Sequence, residues 1–150
     1  MATPQETYAA IRPDLGKLAT PLFEHSESLL RERGYFLPHA AVLDADGKVA
    51  LLGAICSTPG GFADSTHILP MLHQGLRSIA LERALTAVAV AENVSVSAPD
   101  GSTTQAIKVL VEHAEGVSMA FYLPFSETAP GAYEFHASFC HFVDAEIQPW

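Results

Sequence analysis

Residues 106–125, "AIKVLVEHAEGVSMAFYLPF", decide the fold, because they hold two apolar runs of strand length joined by Ala114-Glu115-Gly116. A three-residue hairpin loop with glycine in the left-handed position fixes the register. His113 then faces Val117, and Val111, Val109 and Ile107 face Met119, Phe121 and Leu123. These residues share one face of the pair. The other face carries Lys108 opposite Tyr122, Leu110 opposite Ala120 and Glu112 opposite Ser118. A hairpin with one apolar face needs a layer packed over it.

Around this hairpin the chain reads as further strands. Leu85 to Ser97 is one long strand, "APDGST" is its turn, Thr104 to His113 and Val117 to Leu123 are the pair above, and Tyr133 to Val143 closes the run. Upstream, "LPHAAVLDADGKVALLGAI" (37–55) predicts a second hairpin turning at Asp46-Gly47 in a type I′ turn. A calcium loop is the competing interpretation. It fails because Gly47 at the sixth loop position leaves Val42 at the first and Gly53 at the twelfth, where carboxylates are needed.

Two helices complete the pattern. In "TPLFEHSESLLRERG" (20–34) Thr20 is placed to cap, Pro21 suits the first helical position and Gly34 the left-handed stop, with Leu22, Phe23, Ser26, Leu29 and Leu30 on one face. A second helix runs to about Arg83 with Ile68, Leu72, Leu76 and Ile79 inward. Pro70 leaves its start open between an Asp64 cap and Leu69. The expected fold is α+β in the order αββαββββ: a mostly antiparallel sheet of about six strands with two helices on one face. Residues 1–150 form a single domain, and residues 1–19 are expected as a partly ordered N-terminal arm.

Six strands make a sheet nearly 30 Å wide, while two helices cover about 20 Å. The second face is therefore expected to be open. It would carry Ala87, Ala89, Ala91, Leu110, Ala120, Tyr122 and Phe142 beside Lys108, Glu112, His136 and Cys140. A mixed surface of that kind suits a homodimer or another protein partner.

Composition narrows the function. With 150 residues, 49% of them hydrophobic and 17% charged, the chain can bury a core without disulfides or metals. A net charge of -9 with no basic stripe disfavours nucleic acid. No apolar run is long enough to span a bilayer, and "MATPQETYAAIRPDLG" has no secretory pattern, so the expectation is a cytoplasmic protein without membrane contact.

The titratable residues do not assemble into a known catalytic motif. His67 and His73 diverge around a helix, and His136 and His141 point to opposite faces unless a bulge intervenes. His39, after Pro38 at the mouth of the first hairpin, is read as a packed imidazole, with a base or ligand role as its functional alternative. His113 is expected to be partly buried with a backbone partner. Gly60 and Gly61 lack the rest of a phosphate loop but could present N–H groups to an anion. The candidate binding residues are thus His39, Gly60, Gly61, Lys108, Glu112, Tyr122 and His136. No catalytic residue, metal ligand or cofactor is assigned.

"GYFLPHAAVLDADGKV" and "AIKVLVEHAEGVSMAFYLPF", with the capped helix between them, resemble a family of small bacterial α+β proteins of uncharacterised function. The resemblance runs from about Leu22 to Phe125 and implies the αββαββββ order. It implies no site residues. Members place an aromatic and a glycine after the motif proline, where this chain has His39 and Ala40.

Three function classes follow. The first is a non-enzymatic cytosolic protein-interaction or regulatory module, of immunity type for example, acting as a homodimer through the open sheet face or an edge strand. The second is a small-molecule binder with a cleft near Gly60-Gly61, and the third a small hydrolase using His39, His136 and Glu112.

Overall fold

The computed structural model describes residues 3–53, 65–97 and 100–150. Their order is α1 (Pro4–Arg33), β1 (His39–Asp44), β2 (Val49–Gly53), α2 (Ser65–Glu82), β3 (Leu85–Ser97), β4 (Thr103–His113), β5 (Val117–Ala129), β6 (Ala132–Phe135) and β7 (Phe139–Phe142). The sheet is antiparallel and runs β2-β1-β3-β4-β5-β6, with β7 also on β5. The expected α+β class and element order hold, with seven strands in place of about six.

The β4–β5 register is the one the loop predicts: His113 pairs with Val117 and Ile107 with Leu123, and Gly116 sits at φ 88°. The β1–β2 turn uses the same geometry. Only Gly47 there has positive φ, at 86°, and its N–H donates to Asp44 O at 3.0 Å. Because a type I′ turn needs positive φ at both central residues, the expected type I′ turn is replaced by a three-residue loop with a glycine bulge. Asp44 Oδ1 accepts from the Asp46 and Lys48 N–H groups, both at 2.9 Å. The acidic residues shape the turn.

α1 starts at Pro4, not at Pro21. Thr3 caps it, accepting from Glu6 N–H at 3.1 Å, so the Thr-Pro signal is used at its first occurrence and not at Thr20-Pro21. Residues 4–19, expected as an arm, are the first half of a thirty-residue helix. The buried stripe Ile11, Leu15, Leu18, Leu22, Ser26 and Leu30 continues through Pro21. Burying it against the sheet outweighs the one backbone bond a proline removes. Gly34 ends the helix at φ 79°, as its position predicts, and its N–H donates to Leu30 O at 2.8 Å.

The helices lie on opposite faces of the sheet, which corrects the expected one-sided arrangement. α1 packs on Ala41, Leu43, Ala87, Ala89, Ala91, Val109 and Val111, whereas α2 packs on Ala40, Val42, Val88, Val90 and Leu110. Alternate residues of β1 and β3 therefore enter different cores. The topology gives the reason. β2 and β3 are parallel with β1 between them, so α2 is a crossover that must pass over one face. α1 holds the other.

The open face expected beside Ala87, Ala89 and Ala91 does not exist. β3 pairs Ala89 with Val111, which puts the three alanines under α1 at 0% exposure. A homodimer through them is excluded by packing. Lys108, Glu112 and Tyr122 occupy the α2 side, and there the C-terminal segment closes what α2 leaves. Ile147, fully buried, packs with Ile68, Leu72 and Leu76.

The expected single strand 133–143 is two strands along the same edge of β5. Phe125 pairs with Phe135 and Tyr122 with Phe139, so Leu123 and Pro124 stand against His136, Ala137 and Ser138. His136 N–H donates to Pro124 O at 2.9 Å, but proline has no N–H to return the second bond of that pair. The extra residue is a bulge, and it reverses the facing of everything after it. Phe139 and His141 join the face of Tyr122, while Phe142 meets Tyr8 of α1 edge-on at 5.9 Å.

Candidate functional site

Of the sequence-predicted residues, Lys108, Glu112 and Tyr122 come together on the α2 face. Lys108 stands between Glu92 on β3 and Tyr122 on β5. Its ammonium lies 3.6 Å from Glu92 and 3.9 Å from Glu146 of the C-terminal segment. Burial raises the Glu92 carboxyl above its ordinary range, and the Lys108 charge opposes that shift. His73 of α2 faces the same group. Burial lowers its pKa, with Glu146 pulling the other way and Arg77 adding to the fall.

Glu112 is buried and fully engaged. One carboxylate oxygen accepts from Glu146 N–H at 2.8 Å and Ile147 N–H at 2.7 Å, the other from Gln148 N–H at 2.8 Å. Arg77 Nε donates to Ile147 O at 2.7 Å. Gln148 turns at φ 52°, so three successive N–H groups wrap the carboxylate. Glu112 is the anchor of a strap, which takes up three of its roughly four acceptor sites. Neither Glu146 nor Arg77 carried a sequence signal. Glu92 did, since extending the hairpin register to β3 sets it opposite Lys108.

His39 lies on the other face, under α1, and cannot meet Glu112. Its Nδ1–H donates to Leu37 O at 2.9 Å, and Nε2 is 3.2 Å from the Ser26 hydroxyl, which also lies 2.8 Å from Leu22 O. Ser26 is 0% exposed and His39 is buried, so this serine-histidine pair lies beneath α1. Burial lowers the His39 pKa, and the Leu37 carbonyl partly restores it. His113, a second buried imidazole, accepts from Glu115 N–H at 3.0 Å and donates Nε2–H to Asp14 at 2.9 Å. It tethers α1 to the β4–β5 turn.

His136 sits at the bulge, where Nε2 meets the Ser126 hydroxyl at 2.9 Å, far along the sheet from Glu112. His39, His136 and Glu112 are therefore not one constellation. Gly60 and Gly61, with the cleft expected beside them, lie outside the described residues. Among the described residues no cluster of three or more His, Cys, Asp or Glu could hold a metal ion. Among the described residues no helix is long and apolar enough to cross a membrane.

The feature that sequence reasoning does not place is the outer edge of β7, since an edge strand is expected only in general. All four of its residues are exposed, Phe139 at 47% and Phe142 at 41%. Tyr122 stacks on Phe139 at 4.9 Å and on His141 at 5.4 Å. Val143 N–H donates to Ser118 O at 3.1 Å. Bonded pairs alternate along an antiparallel ladder, so Ala120–His141 and Tyr122–Phe139 are bonded in turn. The N–H and C=O of Cys140 and Phe142 then point off the sheet, and nothing among the described residues pairs with them.

From Phe135 to Val143 the edge carries no Asp, Glu, Lys or Arg, in a chain of net charge -9. Edge strands are ordinarily guarded by charge or proline. This one is bare, aromatic on both faces, and carries the free thiol of Cys140. Family models, curated proteins and solved structures contain no match to this chain.

Proposed function

We propose that the chain is a non-enzymatic protein-interaction module of the cytoplasm that works as a homodimer, joined antiparallel through the outer edges of β7. The observation that carries this reading is the exposed, uncharged edge with the main-chain groups of Cys140 and Phe142 directed outward. Identical strands meeting across a two-fold axis pair antiparallel, which closes the assembly at two copies. The absence of charge matters because like charges directly opposite would repel. Elsewhere an acidic surface keeps copies apart. An exposed free thiol at the junction suits a reducing compartment.

Sedimentation velocity over a concentration series tests the proposal. The wild type should move from monomer to dimer. Cys140→Pro removes an outward N–H without breaking a β5–β7 ladder bond, and Phe142→Lys adds a charge at the edge; both should remain monomeric with unchanged circular dichroism. A wild type still monomeric at about 100 μM, where a specific dimer of micromolar Kd would be largely associated, would overturn it.

A further inference from the structure

The sheet outruns α1 at one end. The helix stops at Gly34, whereas the β3–β4 and β5–β6 hairpins continue past it and leave a cavity of about 420 Å³ on the α1 face. Register identifies the walls. Ser95 pairs with Gln105, Gln105 with Phe125, and Glu127 with Tyr133, so their side chains share that face. Thr103 lies beside them and Gly34 closes the helix side. The volume falls in the range of about 300–1,000 Å³ typical of small-molecule sites.

The lining is unusual for such a site because hydroxyl, amide and carboxylate groups dominate it. Tyr133 O–H donates to Glu127 Oε2 at 3.1 Å. Gln105 Oε1 accepts from Asn93 Nδ2 at 3.2 Å, which leaves the Gln105 amide N–H groups as donors. Phe125 is nearly buried and forms an apolar floor, with the Tyr133 ring edge-on to it at 6.0 Å. Among the described residues no cationic side chain lines the cavity. The carboxylate and the nearby C-terminal end of α1 make it electronegative, which disfavours anions.

We propose that this cavity binds an uncharged polyhydroxylated molecule of mono- to disaccharide size. Each sugar hydroxyl both donates and accepts, as do the hydroxyls of Ser95 and Thr103, while the Tyr133 oxygen, its proton given to Glu127, accepts. Glu127 can accept from two ligand hydroxyls and Gln105 can donate to a third. The partly exposed Tyr133 ring, held edge-on by the buried Phe125, offers apolar surface to the C–H groups of a pyranose. Burial and the adjacent Glu127 raise the Tyr133 pKa, in keeping with a phenol proton held on the Glu127 carboxylate. The site is distinct from the β7 edge and goes beyond the dimer proposal.

Amide NMR titration of the full chain with glucose, galactose, N-acetylglucosamine, sucrose and myo-inositol, each into the millimolar range, tests the inference. At least one should shift the amides of Ser95, Gln105, Glu127 and Tyr133 saturably. Glu127→Gln and Tyr133→Phe, whose spectra should otherwise match the wild type, should each weaken that binding by roughly tenfold or more. No saturable shift at these amides with any of the five would overturn the inference. So would binding indifferent to both substitutions, or saturation by ethanolamine where every sugar fails, which would make this an amine site.

Discussion

Replacing Glu112 by alanine removes the single acceptor of three main-chain donors, at 2.8, 2.7 and 2.8 Å. Hydrogen bonds to a charged group each contribute about 1.5–3 kcal/mol. Their sum overstates the loss, because the strap can leave the sheet and give its N–H groups back to water. The cost is then limited by what docking the strap stabilises. Chief among these terms is the burial of Ile147, about 1.5–3 kcal/mol, and the Arg77 bond to its carbonyl is lost with it. Glu112→Ala should therefore cost about 3 kcal/mol, the lower end for breaking a buried charged network. Urea unfolding should show a lower midpoint and a smaller m-value, since a folded state with a detached strap has less surface left to expose. Coupling separates this from simple loss of contacts. In the wild type Ile147→Ala should cost about 2–4 kcal/mol, whereas in the Glu112→Ala background it should be nearly silent. If Ile147→Ala retained its full cost there, the strap would dock without the carboxylate and the reasoning would be refuted.

Three further outcomes are expected. Burial holds the His39 and His73 pKa values below the ordinary 6.5, so the unfolded chain takes up protons first. Their contribution to stability is complete above about pH 6.5 and falls as pH drops through the lowered folded values; His39→Gln should flatten that fall in urea midpoints, and an unchanged slope in the variant would count against it. Gly47→Val forces a β-branched residue to φ 86° and should cost on the order of 1–2 kcal/mol in urea unfolding, so a neutral effect would contradict the turn geometry. Ala89→Arg places an unpaired charge under α1 and should abolish near-ultraviolet circular dichroism. A folded Ala89→Arg protein would mean that this face is not packed.

What the sequence made legible was local. The Ala114-Glu115-Gly116 loop fixes β4 against β5 because glycine at the left-handed position permits one register, and the left-handed stop at Gly34 follows from the same freedom. What it hid was long-range. β1 and β3 are apolar on both faces, "HAAVL" and "LTAVAVA", and such runs belong to strands covered on two sides. That signal was present, but an area comparison of two helices with six strands concealed it. The start of α1 was misplaced at Thr20-Pro21 because Thr3-Pro4 carries the same cap, and only packing of the Ile11–Leu18 stripe chooses between them. The bulge at His136 to Ser138 rests on Pro124, a residue in the partner strand. The strap at Glu112 has no local signature, since its donors are main-chain groups 34 to 36 residues away.

Amide hydrogen exchange along β7, followed residue by residue at rising protein concentration, tests the proposed edge dimer most directly. The Cys140 and Phe142 amides point off the edge, whereas the His141 amide is already bonded within the sheet. Pairing of two edges predicts that exchange at Cys140 and Phe142 slows with concentration, with His141 changing little and both effects lost in Phe142→Lys. Exchange at Cys140 and Phe142 that stays fast while sedimentation reports a dimer would contradict the account, because the two copies would then meet somewhere other than the edge of β7.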